Sequence, residues 1–297
     1  MAGGFVAKYR LGKRDLVMSE DKGTRLAEEA GIHAKFRTPS VKVGLVGLGY
    51  VGLPLALLFG RKGLETTGFD IDGAKVEALM RGESYIRHIP AAEVRAQLEK
   101  KNFRASSDFA GLEKMDAIII CVPTPLDEHR EPDLSFIRDT AEAIRAHLRA
   151  GQLVVLESTT YPGTTEELVL PILERSGLRC PVAPYTAADN MVEVSEGRSG
   201  DFLLAFSPER EDPGNKDFKT HQIPKVIGGV NAASAWAAQA LYGQAFDRTL
   251  VVSSSRAAEM SKLLENIYRC VNIALVNELK QVCLRMGIDI WEVIEAA

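Results

Sequence analysis

The stretch from residue 41 to residue 72 constrains the fold of this chain more than any other part of its sequence. It begins with a short valine-rich apolar run, breaks at the sequence GLGYVG over residues 47–52, and continues with apolar residues at helical spacing as far as Arg61. A second apolar run follows and ends in Asp70. This order predicts a strand, a tight turn, a helix and a second parallel strand.

The three glycines of this turn have separate roles in such a unit. Gly47 permits the sharp turn, Gly49 lets the backbone approach a pyrophosphate, and Gly52 lets the helix pack closely on the strand. The free N–H groups at the helix start face the phosphates, so Tyr50 and Val51 of the same turn join the cofactor-binding candidates. The same pattern without a ligand would be an ordinary glycine-rich turn of a parallel sheet.

A glycine motif alone is weak evidence for dinucleotide binding, and Asp70 strengthens it. This residue stands about twenty residues beyond the turn, at the end of the second strand, where a carboxylate holds the ribose hydroxyls of a dinucleotide. A carboxylate there repels a 2′-phosphate. The sequence therefore favours NAD over NADP as the cofactor.

Composition excludes several classes of protein. The chain has 297 residues, of which 46% are hydrophobic and 26% charged, and its formal net charge is −4. Without a basic excess we expect no nucleic acid partner, and without an apolar run of about 18 residues we expect no membrane span. The N-terminus lacks a signal-peptide pattern, so we expect a cytoplasmic protein. The four cysteines show no CxxC spacing, so neither a metal site nor a disulfide framework is expected.

Three later apolar runs end in polar residues. Because an open α/β sheet binds its ligand at the carboxyl ends of its strands, these residues belong on the cofactor side. From position alone, the residues after the first two runs are as well explained as a turn residue and a helix cap, whereas the dense charge after the third is typical of a strand that delivers side chains to a pocket. The residues are Thr124 after the first run, Ser158 and Thr159 after the second, and Glu209 and Arg210 after the third.

A long helical pattern runs from Arg256 to about Met286, which is on the order of 45 Å. One of its stripes is apolar and a second is polar. The polar stripe taken alone is best explained as a solvated face, whereas the apolar one needs cover from the body of the protein or from a second subunit. The apolar stripe contains Met260, Leu264, Ile267, Val271 and Leu275, and the polar stripe contains Glu259, Lys262, Asn266 and Arg269.

These patterns predict an α/β protein with a Rossmann-like, doubly wound, mostly parallel sheet and a long C-terminal helix. We expect residues 1–40 to be an N-terminal extension and residues 41–254 to form the NAD-binding domain. An insertion at about 178–200 is long for a connection within a compact sheet. Residues 255–297 are expected to form the long central helix and the start of a dimerisation domain.

Five motifs in this order resemble the nucleotide-sugar 6-dehydrogenases, which oxidise a UDP-sugar to its uronic acid with two NAD. They cover residues 41–297 almost continuously. A branch that acts on N-acetylated hexosamines is the most similar. The motifs are GLGYVGLP at 47–54, CVPTP at 121–125, ESTTYPGT at 157–164, FSPER at 206–210 and EMSKLLENIYR at 259–269.

The resemblance implies a role for each candidate residue. Thr159 and Glu209 would hold water and relay protons, whereas Lys262 and Asn266 would stabilise the oxyanions formed at C6. Arg210 and Arg269 would contact the substrate. The cofactor contacts that it implies are Asp70, Lys75, Thr124 and Ser158.

The resemblance also implies residues that this sequence does not contain. In the family the nucleophile is a cysteine in a Gly-Gly-x-Cys-x-Pro motif, followed by a second Rossmann-like domain that binds UDP. Neither occurs within these 297 residues. We therefore expect the chain to be truncated before the catalytic cysteine, to lack the UDP-binding domain and to be inactive alone.

Three hypotheses stay open at this point. The first is the NAD-binding half and central helix of a UDP-sugar dehydrogenase, working as a homodimer through the long helix. The second is a non-catalytic NAD-binding module that dimerises. The third is a hydroxyacid dehydrogenase of the 6-phosphogluconate or 3-hydroxyisobutyrate type, against which the motifs at 121–125 and 206–210 speak.

Overall fold

A computed structural model describes residues 34–182, 201–209 and 222–297 of the chain. The first βαβ unit forms as its sequence predicts, with a strand, the glycine turn, a helix and a second parallel strand. The described strands are β1 (Lys42–Val46), β2 (Glu65–Phe69), β3 (Phe103–Ser106), β4 (Ala117–Ile120), β5 (Leu153–Leu156), β6 (Leu203–Phe206), β7 (Lys225–Gly229) and β8 (Thr249–Val252).

The helices alternate with these strands over most of the chain. A 3₁₀ helix spans Phe109–Lys114, and a π-helical segment, Thr165–Val169, leads directly into α5 (Leu170–Glu174). The other helices are α1 (Gly52–Arg61), α2 (Gly73–Met80), α3 (Ala91–Glu99), α4 (Ser135–Arg145), α6 (Ala232–Tyr242), α7 (Ser255–Met286) and α8 (Ile290–Ala296).

All eight strands belong to one sheet, in the order β3-β2-β1-β4-β5-β6-β7-β8. Neighbouring strands run parallel except β6 and β7, which pair antiparallel. The order reverses between β1 and β4, which is the switch point where open α/β sheets bind their ligands. The predicted fold class, a Rossmann-like and mostly parallel sheet, is confirmed.

The sheet is buried on both faces. Alternate residues of β4 join different apolar clusters: Ile119 packs in one with α1 and α6, whereas Ile118 and Ile120 pack in the other with α4 and α5. This explains why the strands read as continuous apolar runs, because neither face meets water.

The long helix α7 has well-defined ends. Ser254 caps its start by accepting a hydrogen bond from the N–H of Ala257, and Gly287 ends it in the left-handed conformation, with φ of 69°. Its fully buried residues, Ser255, Ala258 and Glu259, lie at its start, and half-buried residues continue as far as Asn266. The apolar stripe beyond it is exposed, at 59% for Val271 and 56% for Leu275.

One residue of the polar stripe departs from its sequence interpretation. Glu259 is fully buried rather than solvated, because the first turn of α7 packs against the sheet and the loop that follows β5. Parts of the N-terminal extension (1–33) and of the insertion (183–200), together with Arg210, lie outside the described residues. None of the helices in the described ranges combines the length and apolar character that a bilayer crossing requires.

Candidate functional site

The carboxyl ends of four adjacent parallel strands meet at one edge of the sheet. Val46 of β1 pairs with Ile120 of β4, Ile120 with Leu156 of β5, and Leu156 with Phe206 of β6. The chain therefore leaves all four strands at the same level. The glycine turn and the loops that carry Thr124, Ser158, Thr159 and Glu209 start from this edge.

The glycine turn has the shape that a pyrophosphate requires. Gly47 has a φ of +94°, and a Cβ there would lie 2.7 Å from the carbonyl oxygen of Cys121. A Cβ on Gly52 would lie 1.8 Å from the carbonyl oxygen of Gly47, so only glycine lets α1 start this close to β1. At Gly49 a Cβ would meet no atom within 4 Å, which leaves that side of the turn open to a ligand.

The peptide of Leu48, inside this turn, is held from both sides. Its N–H donates to Asp70 Oδ2 over 2.8 Å, and its carbonyl oxygen accepts from the Tyr85 hydroxyl over 2.5 Å. Partial burial and the nearby carboxylates of Asp70 and Asp72 raise the pKa of the Tyr85 phenol, so it remains a donor. The sequence analysis missed Tyr85, because nothing in its local pattern distinguishes it from a loop tyrosine.

Asp70 lies directly after β2, as its sequence position predicts, and is 7% exposed. Its Oδ1 accepts from the N–H of Asp72 at 3.0 Å, and Lys75 Nζ lies 4.0 Å from Oδ2. Tyr50, 70% exposed beside the open side of the turn, stacks on His88 with ring centroids 6.1 Å apart. Asp70 thus stands at the strand end where dinucleotide-binding folds hold a ribose, with Lys75 beside it.

The loop after β5 carries the hydroxyl cluster. Ser158 is buried, and its hydroxyl donates to the carbonyl oxygen of Val122 over 2.7 Å, which ties this loop to the one that carries Thr124. Thr159 is exposed and Thr124 is half-buried. Ser158 thus has a clear structural function, whereas Thr159 is exposed in the loop that leaves the sheet edge.

A buried group of charges lies beneath the same edge. Lys225 Nζ lies 3.0 Å from Glu157 Oε2 and 3.3 Å from Glu209 Oε2, and the Tyr242 hydroxyl donates to Glu157. Burial raises the pKa of Glu157 to about 7, although Lys225 opposes the shift. Burial also lowers the pKa of Lys225, but its two carboxylate partners outweigh burial and the net shift is upward.

Glu259 joins α7 to the loop that carries Thr159. Its carboxylate accepts from the N–H of Gly163 at 2.6 Å, the N–H of Thr165 at 2.9 Å and the Thr165 hydroxyl at 2.7 Å. Burial raises the pKa of this carboxyl although the three donors oppose that shift. Nearby, the carboxylate of Glu166 accepts from Ser255 and pairs with Arg256 of α7.

The contacts of Glu259 fix the start of α7, and the positions of its other predicted residues follow from them. Lys262 and Asn266, one and two turns beyond Glu259, are half-buried and lie along the same side of the helix. Arg269 is exposed and bonds within its own helix, to Glu265 Oε1 at 2.7 Å and to Asn266 Oδ1 at 2.6 Å. The described structure therefore does not bring Arg269 to the strand ends.

The cysteines do not form a thiolate site at the sheet edge. All four are free. Burial raises the pKa of the Cys121 and Cys180 thiols, whereas Cys270 and Cys283 lie on α7. In the described ranges no group of three or more His, Cys, Asp or Glu side chains is placed to hold a metal ion.

The sheet order, the glycine turn and the acid at the end of β2 define a dinucleotide-binding domain of the dehydrogenase type. Comparison with known families agrees. Residues 41–246 match the UDP-glucose/GDP-mannose dehydrogenase family, NAD binding domain, and residues 256–297 match the central domain of the same family. The chain belongs to this family, and its cofactor is NAD. Membership decides against the hydroxyacid dehydrogenase alternative.

Individual relatives agree with this assignment. A UDP-N-acetyl-D-glucosamine 6-dehydrogenase of Pseudomonas aeruginosa is 39% identical over 86% of this chain and 56% of its own length. A UDP-N-acetyl-D-mannosamine dehydrogenase of Escherichia coli is 35% identical over 86% of this chain and 58% of its own.

Among solved structures, that of the UDP-D-ManNAc dehydrogenase from Pyrococcus horikoshii superposes with a TM-score of 0.76 at 32% identity. The match covers 86% of this chain and 57% of that one. The chain thus spans little more than half the length of the relatives that it matches.

We predict that Gly49→Ala keeps the fold but weakens NAD binding at least about tenfold, because the added methyl occupies the side of the turn that a pyrophosphate approaches. Isothermal titration calorimetry with NAD measures the loss. Gly73→Ala is the control, since a Cβ there also meets no atom within 4 Å. Equal NAD affinity for both variants would contradict the assignment of the turn.

We predict that Glu259→Ala destabilises the chain by about 2–4 kcal/mol, because it leaves buried donors of the 163–165 loop without their acceptor. Urea unfolding followed by circular dichroism gives the free energy of unfolding. The control is Glu278→Ala, which removes an exposed carboxylate from the same helix. Similar losses in the two variants would show that Glu259 does not anchor α7.

Proposed function

We propose that this protein is an NAD-dependent UDP-sugar 6-dehydrogenase that oxidises the C6 hydroxyl of a UDP-N-acetylhexosamine to the uronic acid, and that the 297 residues supply its NAD-binding half. Family membership and the named substrates of the two curated relatives support the substrate class. The four free cysteines support the cytoplasmic location that we propose for it.

One observation carries the proposal more than any other. The hydroxyl loop after β5 is bonded through Glu259 to the first turn of the helix that bears Lys262 and Asn266. A parallel-sheet cofactor domain is thereby joined to a helix that carries a cation and an amide. Hydride transfer from an alcohol needs both a cofactor site and donors for the developing oxyanion.

The chemistry of the residues fits this assignment. The glycine turn and Asp70 would hold NAD, which would supply the acceptor for the hydride that leaves C6. Thr159 and Glu209 hold a water molecule, and Glu209 takes up through that water the proton that the C6 hydroxyl releases, a role that suits a carboxylate at the edge of a pocket. Lys262 and Asn266 donate hydrogen bonds to the oxyanion at C6, and Arg210 binds the sugar diphosphate.

A non-catalytic NAD-binding module is the second candidate. It is favoured by the cysteines of this chain, because two have buried thiols with raised pKa values and two lie on α7. The oxidation of an aldehyde to an acid needs a thiolate that traps it. Under this alternative the protein binds NAD without oxidising any sugar.

A turnover assay separates the two candidates. We expect the complete gene product to reduce NAD with UDP-N-acetylglucosamine or UDP-N-acetylmannosamine, and to use UDP-glucose at least about tenfold less well. Absorbance of NADH at equal substrate concentrations measures the rates. NAD binding without turnover on any of the three sugars would favour the non-catalytic module.

We also propose that the protein is a homodimer through α7. Beyond its first turn this helix exposes large apolar side chains, and such a surface marks a contact with another chain. The residues that form it include Leu264, Ile267, Val271, Leu275, Leu279 and Val282.

We predict that Leu275→Glu converts the dimer into a monomer, because two carboxylates would be buried in the contact without partners. Light scattering coupled to gel filtration should give twice the 32.4 kDa chain mass for the unchanged protein. Gln281→Glu, which adds the same charge at a polar position of α7, should remain dimeric. A monomeric unchanged chain would contradict the dimer.

A further inference from the structure

Lys225 occupies an unusual place for a lysine, and the proposed mechanism does not use it. It is the first residue of β7, and only 3% of its side chain is exposed. A buried ammonium is costly unless partners compensate for its lost hydration. The contacts of Lys225 therefore decide what it does.

The partners of this ammonium are of two kinds. Three are oxygen atoms, namely Glu157 Oε2 at 3.0 Å, Glu209 Oε2 at 3.3 Å and the carbonyl oxygen of Pro208 at 3.4 Å. The other two are the rings of Tyr242 and Phe246, whose centroids lie 5.2 and 5.3 Å from Nζ, within the range of a cation–π contact.

The two carboxylates differ in their access to the sheet edge. The side chain of Glu157 is 0% exposed and is bonded to the Tyr242 hydroxyl, so a substrate has no route to it. Glu209 is 13% exposed and follows the end of β6, where the proposed reaction takes place. Any effect of Lys225 on a reaction therefore passes through Glu209.

We propose that Lys225 is a positioning residue that fixes the Glu209 carboxylate at the sheet edge, and that Glu157 and Tyr242 hold Lys225 in place. The catalytic role of Glu209 rests on the proposed function, but the contact by which Lys225 fixes its carboxylate does not. An ammonium at this distance fixes the direction of the carboxylate and favours its charged form, which is the form that accepts a proton.

Several titratable groups lie close together in this cluster. The groups that face Glu157 are Lys225, Glu209, Tyr242 and Cys121. With its pKa at about 7, Glu157 competes with Glu209 for the ammonium less strongly as the pH falls. A test must therefore remove the contribution of Glu157 from the comparison.

The experiment compares Glu157→Gln with the double variant Glu157→Gln, Lys225→Met in the 297-residue chain. Lys225→Met alone would leave Glu157 buried and unpaired, with a risk of unfolding, whereas the double variant removes both charges. Carbon-13 NMR of labelled glutamate carboxyls follows each titration. The Glu209 signal is identified by its loss in Glu209→Gln.

We expect the titration midpoint of Glu209 to rise by about 1 pH unit from the single to the double variant, because the nearby cation is lost. The double variant Glu157→Gln, Lys225→Arg restores a cation, so it should return the titration midpoint of Glu209 to its value in Glu157→Gln. An unchanged midpoint in the double variant would overturn the proposal. This readout needs no turnover, so it is independent of the proposed function.

The complete gene product provides a second readout. Relative to Glu157→Gln, the double variant should lose about tenfold or more in kcat near pH 6, while its KM for NAD changes less than about threefold. The arginine variant should recover most of the loss. Equal kcat values in the two variants would overturn the positioning role, whereas an inactive unchanged enzyme would count against the proposed function.

Discussion

The shared level at which four parallel strands end is the constraint on which the rest of the structure depends. Hydrogen bonding holds β1, β4, β5 and β6 side by side, so the chain must leave each of them at one edge. The loops that start there come from sequence positions more than 150 residues apart. The register of the strands therefore brings these loops and their polar residues to one edge of the sheet, which is where open α/β sheets bind their ligands.

Two buried carboxylates then join further elements to this edge. Glu259 attaches the long helix to the hydroxyl loop, and Glu157 secures the lysine that reaches Glu209. Both are costly to bury, and each accepts hydrogen bonds through both of its carboxylate oxygens. Their positions explain how the start of a long helix and a buried lysine are attached to the loops at this edge.

Features that have a local sequence signal could be predicted. Residues whose roles depend on tertiary contacts could not. The glycine turn, Asp70 and the strand ends are visible because alternation, spacing and turn chemistry act over a few residues. Glu259 looked solvated, since helical spacing cannot show what the helix packs against. Tyr85 and Lys225 gave no local signal. The hydroxyl of Tyr85 bonds to a carbonyl 37 residues away in the chain, and the nearest carboxylate partner of Lys225 in the chain is 16 residues away.

Binding of NAD and NADP to the 297-residue chain tests the central claim most directly, namely that the edge of this sheet is a site for NAD. Isothermal titration calorimetry of both nucleotides under identical conditions measures it. We expect NAD to bind and NADP to bind at least about tenfold more weakly, because Asp70 lies where the 2′-phosphate would be. Equal affinities, or no binding of NAD, would contradict the account.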